Sequence, residues 1–254
     1  MLSIDLSNRL AVITGASGEL GRVMSRSLAA SGADVALVYH RNAAGAEALA
    51  AEITATGRRA KAFGADVTDA ASVVALRDVV RAWHRDPDIV VANAVIQYPW
   101  KPLLEQPIAD YESQFRSCVL HAVNLAQAFL PAMIPRRWGR FIAINTECAM
   151  QNFPTQSAYV AGKRGMDGVV RVLAREIGEH QITVNQVAPG WTVTDKERAA
   201  GMEVRSEYDR TIPLRRRGTD LEIANVVAFL ASDLASFITG AYIPVSGGNV
   251  MPTI

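Results

Sequence analysis

Seven short apolar runs, separated by longer stretches of helical periodicity, constrain the fold of this chain more than any other feature. The runs occupy residues 10–14, 35–39, 60–63, 89–92, 141–145, 183–187 and 243–245. Between them, residues 22–31, 46–56, 71–84, 110–133, 157–178 and 220–232 carry apolar side chains at the intervals of an amphipathic helix. A strand that is apolar on both faces has to be covered on both. Strand–helix–strand crossovers achieve this by setting the strands parallel and stacking helices on each side of the sheet. The expected fold is a single α/β domain over residues 1–254: a doubly wound parallel sheet of about seven strands with helices on both faces. No linker, charge block or internal repeat divides it. The least regular stretches are 97–107, which holds Pro99, Pro102 and Pro107, and the charged segment 192–217.

The first run ends at Thr14 and continues into Gly15, Ala16, Ser17, Gly18, Glu19, Leu20 and Gly21. Glycines at a strand end let the backbone approach a pyrophosphate, and the following helix N-terminus offers free N–H groups and a favourable dipole. A tight turn without a ligand shows the same pattern, so the second run has to be weighed with it. That run ends in Tyr39, His40, Arg41 and Asn42, with no carboxylate to accept from a ribose 2′-hydroxyl. Arg41 suits a 2′-phosphate instead, which favours NADPH/NADP, with NAD as the alternative. Farther on, Tyr159 and Lys163 stand four residues apart in a helical stretch and so share a face. A cation beside a phenol favours the phenolate and lowers its pKa, which is how a tyrosine becomes an acid–base group. Taken alone, that spacing also describes a solvated pair.

Composition excludes several function classes. With 26 basic and 25 acidic residues the net charge is +1, which gives no general attraction to nucleic acid or an anionic membrane. Two cysteines, Cys118 and Cys148, form no disulfide framework and show no metal-ligand spacing with the four histidines. No apolar stretch reaches a membrane span, and the N-terminus has no signal-peptide pattern, so a soluble cytoplasmic protein without a metal is expected.

The glycine turn, a lone Asn93 closing the fourth run, Tyr159-Val160-Ala161-Gly162-Lys163, and Pro189-Gly190-Trp191-Thr192-Val193-Thr194 after the sixth run together resemble the short-chain dehydrogenase/reductase family. The resemblance spans nearly the whole chain and is greatest to members like the 3-oxoacyl-(acyl carrier protein) reductases. It implies a Rossmann-like fold and hydride transfer between a nicotinamide cofactor and a small carbonyl or alcohol substrate. Tyr159 would act as proton donor, Lys163 as its partner and ribose holder, and Thr146, in the place of the family serine, as the hydroxyl that polarises the carbonyl. Cys118 takes the place of a family asparagine whose main-chain carbonyl supports a proton relay. Cofactor contacts fall on Gly15, Ser17, Gly18, Glu19, Leu20, Gly21, Arg41, Asp66, Val67, Asn93, Ala94, Tyr159, Lys163, Pro189, Gly190, Thr192 and Thr194.

Residues 192–217 match the family's substrate lid, and Met150, Gln151, Asn152 and Phe153 the pocket lining. The resemblance also implies a homotetramer, through residues 110–133, 157–178 and 237–254. Glu19, Val95, Cys118 and Thr146 depart from the family pattern. They leave two other readings open, a sugar or polyol dehydrogenase and a nucleotide-binding member impaired in catalysis. Glu19 is expected to turn outward and pair with Arg22. Arg215-Arg216-Arg217 reads either as solvated surface or as a patch for an acidic partner.

Overall fold

The computed structural model describes residues 3–201 and 207–252. Residues 202–206 of the expected lid and 253–254 of the expected subunit contact lie outside the described residues. The first half of the chain alternates β1 (Leu10–Thr14), α1 (Glu19–Ala30), β2 (Asp34–Tyr39), α2 (Ala43–Ala55), β3 (Ala60–Gly64), α3 (Ala70–Trp83) and β4 (Ile89–Ala92). The second half continues with α4 (Ile108–Gln114), α5 (His121–Phe129), β5 (Gly139–Ile144), the short α6 (Cys148–Gln151), α7 (Ser157–Ile177) and β6 (Ile182–Pro189). A small excursion of β7 (Thr192–Val193), α8 (Asp195–Ala199), α9 (Glu207–Thr211) and β8 (Gly218–Thr219) precedes α10 (Asp220–Ala231) and β9 (Tyr242–Val245).

The main sheet has seven strands in the order β3-β2-β1-β4-β5-β6-β9, and every neighbouring pair is parallel. Its central strands are buried from end to end because successive side chains enter opposite cores. Along β1, Leu10 and Val12 join Leu76 of α3, Leu125 of α5 and Val170 of α7. Ala11 and Ile13 point the other way, towards Leu28 of α1, Leu49 of α2 and Val227 of α10. Several of these helices begin with side-chain caps: Asn42 accepts from the Gly45 N–H, Asp69 from those of Ala71 and Ser72, and Thr219 from that of Glu222. The order of connection reverses between β1 and β4, which opens a crevice at the carboxyl ends of those strands.

Two stretches differ from the sequence expectation. Residues 110–133 are not one helix: a wide π-helical turn (Phe115–Leu120) separates α4 from α5, and a 3-10 turn containing Pro131 follows. The wide turn lies against α7 at very close range. A Cβ on Gly162 would stand 2.8 Å from the Gln114 carbonyl oxygen, and one on Gly165 would stand 2.9 Å from a Val119 methyl. This contact is tertiary, and helical periodicity carries no record of it. The described part of 192–217 is likewise more ordered than its composition suggests. β7 pairs with β8, Arg198 bridges Asp195 and Asp220 at 2.5 and 2.6 Å, and buried Arg217 reaches Glu197 at 3.3 Å.

Helix α1 is seated directly on the turn before it. A Cβ on Gly21 would lie 2.1 Å from the Gly15 carbonyl oxygen and 2.9 Å from the Ala16 Cα, both backbone atoms that cannot swing aside. Gly21→Ala should therefore destabilise the protein by about 1–3 kcal/mol, the usual range for overpacking. Urea unfolding is the check, and a midpoint equal to the parent's would show that the turn yields freely.

Candidate active site

The crevice begins at the glycine turn. Gly15 adopts φ +63°, and a Cβ there would meet the Asn93 amide nitrogen at 3.0 Å and the Ala94 Cα at 3.1 Å. Ser17 follows in the same turn, and Gly18 opens α1 without a side-chain cap. The first-turn N–H groups of Glu19, Leu20 and Gly21 consequently have no partner within the helix. The Glu19 carboxylate turns away, pairing with Arg22 at 3.1 Å and accepting from the Lys196 N–H at 3.3 Å. Arg41 is exposed just beyond β2. The nearby Asp66 carboxyl is held below its usual range: burial opposes the shift, but the Thr68 hydroxyl and N–H, with His40 and Arg41, outweigh it. Val67 is buried, and its carbonyl accepts from Asn124 at 3.0 Å. The turn and its surroundings thus fit a dinucleotide, with backbone room for a pyrophosphate and a cation for a further phosphate.

A second group of residues meets the first across the crevice. Thr146 follows β5, with its hydroxyl oxygen accepting from the Cys148 N–H at 3.2 Å. Asn145 braces it: its side chain accepts from the Thr146 N–H at 2.9 Å and donates to Gln186 at 2.6 Å. Tyr159 and Lys163 share one face of α7, with the ammonium 5.8 Å from the phenol ring centre. The Lys163 Nζ donates to the Ile144 carbonyl, and burial lowers its pKa. Burial, rather than the Lys163 cation, dominates the phenol. Burial pushes Tyr159 well up and Cys148 adds to it, against a hydrogen bond from Thr146. Cys118 lies buried in the wide turn, its thiol raised by burial and pulled slightly back by Lys163.

One cavity of about 620 Å³ joins the two groups. Leu20, Asn93 and Val95 line its nucleotide end and Thr146, Tyr159 and Lys163 its far wall, while Pro189, Gly190, Thr192 and Thr194 close the side below the lid. Gln151 and Phe153 line it too, as expected; Met150 instead lines a separate depression beside Arg164 and Tyr242, and Asn152 lines neither. Among the described residues, no three His, Cys, Asp or Glu side chains form a metal cluster, and no helix is long and apolar enough to cross a membrane.

The family model described as enoyl-(acyl carrier protein) reductase matches residues 15–249. The 3-oxoacyl-(acyl-carrier-protein) reductase of Staphylococcus aureus is 37% identical over 241 residues, covering 95% of this chain and 98% of that one. Its Pseudomonas aeruginosa counterpart is 36% identical over 248 residues, covering 98% and 100%. Among solved structures, a blue fluorescent protein from a metagenomic library in complex with NADPH superposes with TM-score 0.87 at 33% identity, over 97% of this chain and all of that one. A mutant short-chain dehydrogenase/reductase from Serratia marcescens gives 0.88 at 31% identity, over 96% and 98%. The chain belongs to the short-chain dehydrogenase/reductase family.

This family member carries groups at its site that sequence reasoning passed over. Glu147, next to Thr146, is buried and accepts from the Tyr208 hydroxyl of α9 and, at 3.1 Å, from the Asn249 amide. The Tyr208 oxygen in turn accepts from the Trp191 N–H at 2.9 Å. The Tyr242 hydroxyl donates to the Thr146 carbonyl. Tyr98 accepts from the Tyr159 N–H at 2.7 Å, and Trp100 stacks on the Tyr159 ring at 6.1 Å and 28°. A carboxylate directly after the expected Thr146, in the otherwise uncharged stretch 141–153, was the one available signal.

Burial pushes the Glu147 carboxyl above its ordinary 4.5, against hydrogen bonds from Tyr208 and Asn249. The folded chain then holds this proton more tightly than the unfolded chain. Its contribution is greatest below pH 4.5 and declines as the pH rises through the folded value. Melting temperatures measured from pH 4 to 8 should show this decline in the parent but not in Glu147→Gln. Parallel profiles would mean that Glu147 titrates as an ordinary carboxylate.

Proposed function

We propose that this protein is an NADPH-dependent carbonyl reductase that converts a ketone to a secondary alcohol. The observation that carries the reading is the convergence of Thr146, Tyr159 and Lys163 on the cavity that starts at the uncapped turn of α1. Gly15, Gly18 and the first-turn N–H groups of α1 hold the pyrophosphate, and Arg41 holds the 2′-phosphate. Asp66 and Val67 flank the adenine, while Asn93, Ala94, Pro189, Gly190, Thr192 and Thr194 seat the nicotinamide half. NADPH, with which one structural neighbour is in complex, supplies the hydride when bound.

The protein's own groups handle the proton and the geometry. The Thr146 oxygen accepts from the Cys148 N–H while its hydrogen is directed at the Tyr159 oxygen, so a carbonyl entering between them meets both hydroxyls at one place. Tyr159 gives its phenolic proton to the oxygen that becomes an alkoxide. Its raised pKa keeps it protonated at neutral pH, the state that reduction needs. The buried Lys163 cation stabilises the phenolate left behind, and the Cys118 main-chain carbonyl supports reprotonation from solvent through the wide turn. Exposed apolar side chains at Phe115, Val172 of α7, Phe237 and Met251 support assembly as a homotetramer, working in the cytoplasm on a small-molecule carbonyl.

Tyr159→Phe should lower turnover by about 10² to 10⁴ while leaving NADPH binding nearly intact. Steady-state rates and cofactor fluorescence check this, and near-parental turnover would move proton transfer to another group. Arg41→Ala should weaken NADPH binding about tenfold to a hundredfold and leave NADH unchanged, because one charge-assisted contact is lost. Equal losses in a titration of both cofactors would remove Arg41 from the phosphate site.

A further inference from the structure

The cavity wall beyond Tyr159 is aromatic rather than merely apolar. Trp100 lies nearly parallel to the Tyr159 ring, and it keeps 47% of its surface exposed. Phe153 and Trp191, which also line the cavity, are 53% and 47% exposed. Trp191 is already faced by the Arg217 guanidinium at 5.0 Å and by Tyr208 edge-on at 5.4 Å, so its remaining surface and the rings of Trp100 and Phe153 form an open aromatic lining that a flat group would cover. They come from three separate segments: the loop after β4, the loop after α6, and the start of the lid.

A second, independent observation concerns Gln156. It is 8% exposed, it lines the same cavity, and its amide oxygen is buried without a hydrogen bond. Its amide N–H side faces the Cys148 sulfur, which accepts, and leaves the oxygen unserved. A buried acceptor in that condition is best satisfied by a donor arriving with the ligand.

The lid gives no opposing sign of a carrier-protein partner in its arginine triplet. Arg216 is paired with Glu222 at 2.6 Å, and Arg217 is buried against Glu197 at 3.3 Å. Two of the three charges are thus paired within the chain, and Arg215 turns to the Arg210 carbonyl.

We propose that the substrate is a free aryl ketone with a hydroxyl next to the carbonyl, its ring stacked among Trp100, Phe153 and Trp191 and its hydroxyl donating to Gln156. The inference rests on the carbonyl-reductase reading and adds the substrate class to it. The carbonyl carbon takes a hydride from the reduced nicotinamide dinucleotide, and the carbonyl oxygen takes the Tyr159 proton. The product is an aryl diol, and solvent restores the tyrosine proton.

The test compares kcat/KM for NADPH-dependent reduction of 2-hydroxyacetophenone, acetophenone and 2-octanone, the last two matched in carbon number. Acetophenone should exceed 2-octanone by about tenfold through ring stacking, and the hydroxyl should add a further several-fold. Trp100→Ala should pull the aryl-to-alkyl ratio towards one, and Gln156→Leu should erase the hydroxyl preference. Ratios within one variant are insensitive to a general loss of folded enzyme, and bound NADPH confirms that each variant is folded. Reduction of 2-octanone as fast as acetophenone, or an aryl-to-alkyl ratio untouched in Trp100→Ala, overturns the substrate class and leaves the reductase reading standing. Bound NADPH with no reduction of any of the three ketones overturns both.

Discussion

The junction between Thr14 and Asn93 is the contact on which the rest of the site depends. Thr14 ends β1 and Asn93 follows β4, the two strands between which the order of connection reverses. The Thr14 hydroxyl oxygen accepts from the N–H groups of Asn93 and Ala94 at 2.9 and 3.1 Å, and Asn93 returns a bond to the Thr14 carbonyl at 2.9 Å. The hydroxyl hydrogen has two acceptors in reach, His121 Nε2 at 3.0 Å and the Val91 carbonyl at 3.3 Å. The other ring nitrogen faces the Ser117 carbonyl at 3.1 Å, which can only accept, so Nδ1 carries the proton and Nε2 is free to accept. Burial lowers the His121 pKa to about 4, keeping the ring neutral and this pattern intact. Every donor and acceptor of the buried hydroxyl is therefore used, and the ends of β1 and β4 are pinned to each other.

The strands were legible in the sequence because coverage on both faces leaves no polar alternation to obscure them. All seven runs became strands, with ends moved by no more than two residues. The helix over residues 110–133 was not fully legible, since its wide turn depends on the glycine face of α7 and not on local preference. Tyr159, Lys163 and Thr146 were found through spacing and resemblance, and the structure gathers them around one cavity. Glu19 was legible in its direction, because a carboxylate with an arginine one turn on has a ready partner away from the crevice. Tyr208, Tyr242 and Trp100 were not legible, since each reaches the site from a distant segment and none belongs to a local pattern.

Electrostatics at the reacting centre cannot be read from spacing at all. Four residues on a helix bring Lys163 close to Tyr159, yet the same packing strips both groups of water. Desolvation disfavours the charged form of each and is the largest influence on both. The resulting centre holds a neutral phenol, suited to giving a proton.

Tethers from late in the sequence decide which part of the site a distant change can reach. Tyr242 fixes the Thr146 carbonyl, and Asn249 fixes Glu147 beside it. The glycine turn, β1 and β4 belong to the first half of the chain and lean on neither. A substitution at Tyr242 or Asn249 therefore acts on the chemical half of the site through its backbone, from about a hundred residues away, and leaves the glycine turn as it is.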